Sequence, residues 1–370
     1  MGAMYSILYL ASVCNLHFYD LQAILKAAKD VKTMIDLHLH LDGSLTSEDI
    51  FVLAEMAGVA LPCSDAERLC SLLQAEPNCE SLAEYLEKFD LPLQVLQTEQ
   101  TITLAVYRLV KRLAEDGLVY AEIRFAPQLH LSRGLTQQQV VAAAVKGLNR
   151  GVSEFEISAQ LILCCMRMAD NLAANEETVR VAKEFIGKGV CAVDLAGAEA
   201  AFPTENFSDI FILAKDLNVP FSIHAGEAAG AQSVWTALEL GARRIGHGVR
   251  SAEDATLMAI LAEKKIPLEM CFTSNLQTKA VANKEDYPLQ AFLEQGLVVT
   301  VNTDNMTVSG TDLVTEYRLL QKTFGLSDAV LQEIACNAAD AAFLTIEQKQ
   351  QLKGQIRENF SPWLTKQHAD

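Results

Sequence analysis

The chain has 370 residues, half of them hydrophobic, and a formal net charge of −17. That apolar content supports a large core, and a single α/β barrel can use the whole length. The acidity argues against a nucleic-acid phosphate surface or an anionic membrane as partner, and no apolar stretch is long enough to span a bilayer.

Residues 4–14 (MYSILYLASVC) resemble the core of a short signal peptide, but no Lys or Arg precedes them. Residues 1–33 are expected to be an extension of open status, with Met34 a candidate natural start. Residues 34–370 are expected to form one domain. The nine cysteines are odd in number and contain no CxxC pair. They read as small buried hydrophobes in a reducing compartment, so a cytoplasmic location is expected.

The first strand is predicted at 34–41, where Ile35, Leu37, Leu39 and Leu41 alternate with Asp36, His38, His40 and Asp42. Period two puts His38 and His40 on one strand face, and adjacent imidazoles can hold a transition metal. A long connection over 44–117 follows, with several helices, and is expected to act as a lid over the C-terminal mouth of a barrel. Its last helix, at 99–116, has apolar residues at i, i+3, i+4 and i+7 and stops at Gly117. Ser64 with Glu67, Ser81 with Glu84, and Thr136 with Gln139 have capping-box spacing.

Further strands are predicted at 118–125, 157–165, 190–195, 220–224, 243–247, 266–272 and 297–303, with amphipathic helices between them. Strands alternating with helices, and nearly continuous in apolar residues, indicate a parallel sheet covered on both faces. Eight such units indicate an α/β protein with a (β/α)8 TIM-type barrel. No Gly-rich nucleotide-binding fingerprint follows any strand.

Chemistry-bearing residues gather where these strands end. They are His38, His40 and Asp42; Asp194 to Gly197; His224 and Glu227; His247; and Thr303, Asp304 and Asn305. A barrel brings all these ends to one rim. Three imidazoles (His38, His40, His224) and the Asp304 carboxylate suit Zn²⁺ with a position left for water. Glu227 is placed to act as acid or base without binding the metal, and His247 to orient or deprotonate the water. Strand four carries no lysine that could bridge two metals, so one Zn²⁺ per chain is expected.

The motifs HLHLDGS (38–44), DLAG (194–197), HAGE (224–227), RIGHG (244–248) and NTDN (302–305), in this order and spacing, resemble those of the adenosine deaminase family. SLAEYLEKFDLPL (81–93) and RFAPQLH (124–130) resemble its bacterial members. The resemblance implies hydrolytic deamination of adenosine and 2′-deoxyadenosine to inosine and 2′-deoxyinosine, with ammonia released, in purine salvage. It implies Zn²⁺ on His38, His40, His224 and Asp304. Glu227 would protonate purine N1, and His247 would position the nucleophile and take its proton. The Gly197 N–H would donate to N3, and Asp42 with His40 would hold the sugar hydroxyl.

Three positions depart from the better-known animal pattern. Asn305 stands where an Asp follows the ligand Asp, Ala198 replaces an acidic residue, and Phe272 occupies a Cys-Pro position. Purine N7 only accepts hydrogen bonds, and the Asn305 amide can donate to it at any pH. Two alternatives stay open. One is a deaminase of adenine or of another 6-aminopurine nucleoside such as aminodeoxyfutalosine. The other is a nucleoside-binding barrel without turnover.

Overall fold

The computed structural model describes residues 33–76 and 79–360. The expected extension therefore lies outside the described residues up to residue 32, as does Cys14.

Eight strands form in chain order: β1 Met34–His40, β2 Leu118–Phe125, β3 Ser158–Arg167, β4 Val190–Gly197, β5 Ile223–Ala225, β6 Ile245–His247, β7 Leu268–Met270 and β8 Val299–Val301. Every pairing between neighbours is parallel, in the orders β1–β4 and β5–β8. Two bridges join the halves. Val193 of β4 pairs with Phe221 before β5, and Leu39 of β1 pairs with Asp304 beyond β8. The second seam is laced by His40 N–H to the Asp304 carbonyl at 2.7 Å and Asp304 N–H to the His38 carbonyl at 2.8 Å. Helices between the strands complete the expected (β/α)8 barrel.

All eight predicted strands are present, but β5 to β8 are shorter than the predicted runs, and β5 ends one residue beyond its run. Proline explains two of the late starts. Pro220 and Pro267 have no N–H to give a ladder, and pairing becomes regular only after each of them.

The 44–117 connection contains helices Ser47–Ala57, Ala66–Leu73, Leu82–Leu86, Asp90–Val95 and Glu99–Glu115. The last belongs to the outer ring and packs on Gln137–Glu154. Their approach needs Gly147, where a Cβ would come 2.2 Å from the Thr103 carbonyl oxygen.

Capping follows the sequence in part. Thr136 and Gln139 form the full reciprocal box. Ser81 accepts the Glu84 N–H, but the Glu84 carboxylate turns to the Glu80 amide instead. Ser64 is displaced as a cap by Asp65, which accepts the Arg68 N–H at 2.8 Å because a carboxylate is the stronger acceptor. The eight described cysteines are free thiols, six buried and two partly exposed. Among the described residues no helix is long and apolar enough to cross a membrane.

Candidate active site

The C-terminal ends of the strands surround a cavity of about 180 Å³. His40, Asp42, Gly197, His224, Glu227, His247, Asp304 and Asn305 line it, whereas His38, Asp194 and Thr303, also named from the sequence, do not. Leu82, Tyr85, Leu86, Phe89 and Leu93, all from the 44–117 connection, also line it. A wider cleft of about 920 Å³ at the N-terminal ends of β2 and β3 contains no histidine.

His38, His224, His247 and Asp304 are buried, and each offers a ligand atom within 4.8 Å of the others. His40 joins the group from the rim, its Nε2 3.3 Å from His224 Nε2 and 3.3 Å from Asp304 Oδ1. His38 Nε2 is 3.4 Å from the same Asp304 oxygen and has no hydrogen-bond partner. The far sides of two rings are held. His38 Nδ1 is 2.8 Å from Glu269 Oε2, and His224 Nδ1 is 2.7 Å from Asp194 Oδ2. A proton on each Nδ1 leaves the Nε2 lone pairs free for a metal ion, the usual arrangement where a carboxylate orients a ligating imidazole. An orphaned buried nitrogen, converging nitrogen and oxygen donors and no sulfur fit a divalent ion such as zinc. The tight group contains His247 rather than His40, and the His38 ring centroid is 4.7 Å from that of His247 and 5.6 Å from that of His40, so proximity alone does not separate fourth ligand from water-orienting base.

Arg124 lies beneath the histidines. Its guanidinium is fully buried and donates to Asp194 Oδ2 at 2.7 Å, Glu269 Oε2 at 2.9 Å and the Leu37 carbonyl at 2.6 Å. Arg244 completes the layer, with Nε 2.5 Å from Glu269 Oε1 and Nη2 2.6 Å from Glu122 Oε2.

Glu227 lies across the cavity with Oε1 accepting the Thr278 hydroxyl at 3.1 Å and Oε2 3.6 Å from His247 Nε2. Burial, reinforced by the negative charges of Asp304 and Glu199, raises its pKa to about 8. Such a carboxyl holds its proton at neutral pH. Burial also pushes His247 well below the usual imidazole range, and the neighbouring His38 adds to this. Asn275 Nδ2 lies 3.0 Å from His247 Nδ1, and Tyr287 donates to Asn275.

Asp304 accepts the Ser274 hydroxyl at 2.6 Å. Asp304 and His247 both have left-handed backbone, at φ +58° and +60°. For residues with a Cβ this costs about 1–2 kcal/mol each, which the surrounding contacts must offset.

Asp42 and Asn305 are buried and also line the cavity. Burial raises the Asp42 pKa to about 6. Asn305 Oδ1 is buried without a partner, and the side chain lies so close over Gly43 that a Cβ there would sit 1.9 Å from that oxygen. Gly197 has φ +106°, a conformation that favours glycine. Ala198 and Phe272 do not line the cavity, and Phe272 packs edge-on against Tyr287.

Sequence reading assigned no role to Glu269, Asp194, Arg124, Ser274, Thr278, Asn275 or Glu199. The available signal was charge inside a largely apolar strand: Asp194 in AVDLA, Glu269 in PLEMC, and Arg124 with Glu122 in EIRFA.

The sequence profile of the family described as adenosine deaminase matches residues 34–359. The chain belongs to the adenosine deaminase family. It is 50% identical over 331 residues to the adenosine deaminase of Haemophilus ducreyi, covering 88% of this chain and 96% of that one. The Enterococcus faecalis adenosine deaminase is 40% identical over 326 residues, covering 88% of this chain and 96% of that one. Among solved structures of the wider fold, an adenine deaminase from Arthrobacter aurescens superposes with a TM-score of 0.80 at 29% identity, covering 90% of this chain and 99% of that chain.

Proposed function

We propose that this protein is a hydrolase that converts adenosine and 2′-deoxyadenosine to inosine and 2′-deoxyinosine with release of ammonia, using one Zn²⁺. The observation that carries this reading is a buried Glu227 carboxyl facing a converging, partly orphaned imidazole–carboxylate group across one small cavity. The 50% identical relative named for the same activity supports it.

His38, His40, His224 and Asp304 would hold the ion. A bound Zn²⁺ supplies Lewis acidity that brings the pKa of water to about 7. The remaining chemistry belongs to the chain. Glu227 gives its proton to purine N1, draining charge from the ring so that C6 accepts the water oxygen. His247 and Asp304 orient that water and take one of its protons, which passes to the amine as the C6–N bond breaks and ammonia leaves, while the remaining hydroxyl proton returns to Glu227 as the C6 carbonyl forms. Ser274 keeps one Asp304 oxygen occupied, and so fixes the direction of the other.

The Gly197 N–H would donate to N3 and the Asn305 amide to N7. Asp42 and His40 would hold the sugar hydroxyl. No Lys or Arg lines the cavity, so a substrate's 5′-phosphate would meet no cation there. The apolar residues of the 44–117 connection would act as the lid within a single domain, keeping bulk water from the reacting centre.

Metal analysis and a purine panel on one preparation test this reading. Zinc near one per chain and ammonia from adenosine, with adenine and aminodeoxyfutalosine slow, are expected. A Glu227→Gln protein should keep zinc and lose about 10²–10⁴-fold in kcat. Nucleoside binding without ammonia release would sink the proposal.

A further inference from the structure

The loop after β5 carries Glu227, and its backbone is gripped by a carboxylate that no step above uses. Glu199 lies just beyond β4 and is 1% exposed. Its Oε1 accepts the Gly226 N–H at 2.7 Å and the Ser233 hydroxyl at 2.5 Å. Its Oε2 accepts the N–H groups of Glu227 at 3.0 Å, Ala228 at 2.7 Å and Ala229 at 3.0 Å. Successive backbone N–H groups converging on one point form an anion nest. Here the chain fills the nest with its own side chain.

The arrangement depends on Gly226, which has φ +71° and where a Cβ would come 2.6 Å from Val234 Cγ2. The network then continues to the front of the loop. Ser233 Oγ is 2.7 Å from Thr204 Oγ1, and Arg167 Nη2 donates to Thr204 Oγ1 at 2.9 Å and to the His224 carbonyl at 2.6 Å. The loop is therefore held at His224 by Arg167 and across residues 226–229 by Glu199.

We propose that Glu199 is a positioning residue for the proton donor Glu227, acting on the rate of proton delivery rather than on nucleoside binding. By fixing the amide of Glu227 and those on either side, it sets the direction in which the Glu227 carboxyl meets Thr278 and His247. A simple helix cap would accept one or two amides at a helix start. This carboxylate accepts four amides and a hydroxyl from the loop that bears the acid. The inference rests on the reading of Glu227 given above.

The test compares wild type, Glu227→Gln, Glu199→Gln and Ser233→Ala for kcat and KM with adenosine, zinc content, and affinity for the unreactive product inosine. Glu199→Gln replaces one acceptor oxygen by an NH2 group that faces N–H donors. It should lose about 10- to 100-fold in kcat. KM and inosine affinity should stay within about threefold, with zinc unchanged. Ser233→Ala should show a smaller loss confined to kcat. An unchanged kcat in Glu199→Gln overturns the inference, and so does a loss matched by lost zinc or inosine binding. If Glu199→Gln does not fold, Ser233→Ala decides by the same split. The first two proteins report separately on the underlying reading. An active wild type with inactive Glu227→Gln leaves that reading standing whatever Glu199 does, whereas an inactive wild type removes both.

Discussion

Glu227 makes the sharpest case for chemistry set by surroundings. In its proposed role Glu227 must be protonated to act, and burial beside Asp304 and Glu199 raises its pKa to about 8. The protonated form is therefore the active one, and activity is lost as pH rises through that value. The kcat profile should be flat from neutrality to about pH 8 and then fall about tenfold per unit. A kcat that climbs above pH 9 would remove Glu227 as the acid. Asn305 should behave differently, because an amide donates at any pH. Replacing purine N7 by carbon, as in 7-deazaadenosine, should slow turnover; equal rates would show that Asn305 makes no contact with N7. The rim residues were legible because histidines and carboxylates punctuate strand ends. Glu199, Ser274 and Thr278 were not. Their partners lie 27, 30 and 51 residues away, and no local pattern encodes such a pairing.

Strands and helices differ in how far local pattern determines them. The first strand reads cleanly, because its apolar residues are all buried and alternate with polar groups that turn to the centre. The later strands read too long, since burial continues past the few residues whose backbones pair. Capping residues were right where one acceptor was available and wrong at Ser64, where Asp65 competes. The short helices of the 44–117 connection matter through their side chains over the cavity. Phe89 is half-buried at that roof. Phe89→Ala should raise KM for adenosine several-fold and weaken inosine binding in parallel, because the apolar contact is shared by ground and transition states. Steady-state kinetics checks this, and an unchanged KM would mean that these helices do not cover substrate.

Across the whole barrel, buried charges link the strands more tightly than any sequence pattern announces. Arg124 on β2 meets Asp194 on β4 and Glu269 on β7, and those carboxylates hold His224 and His38. Arg124→Met would leave the buried Asp194 without its arginine and Glu269 with Arg244 alone, at a cost of about 3–5 kcal/mol. Thermal unfolding should register the loss, and chelator competition should show weaker zinc retention in the same protein. A melting temperature unchanged from wild type would show that the network contributes no stability.

The seam between Leu39 and Asp304 has a consequence for how the molecule is made. His38 and His40 leave the ribosome early, whereas the residue that closes the circle and completes their cage arrives only after β8. Shutting the cylinder and assembling the proposed ion site are thus one event. A nascent chain halted before residue 304 has an open edge and half of the proposed ion site, which stays incomplete until the final stave is set.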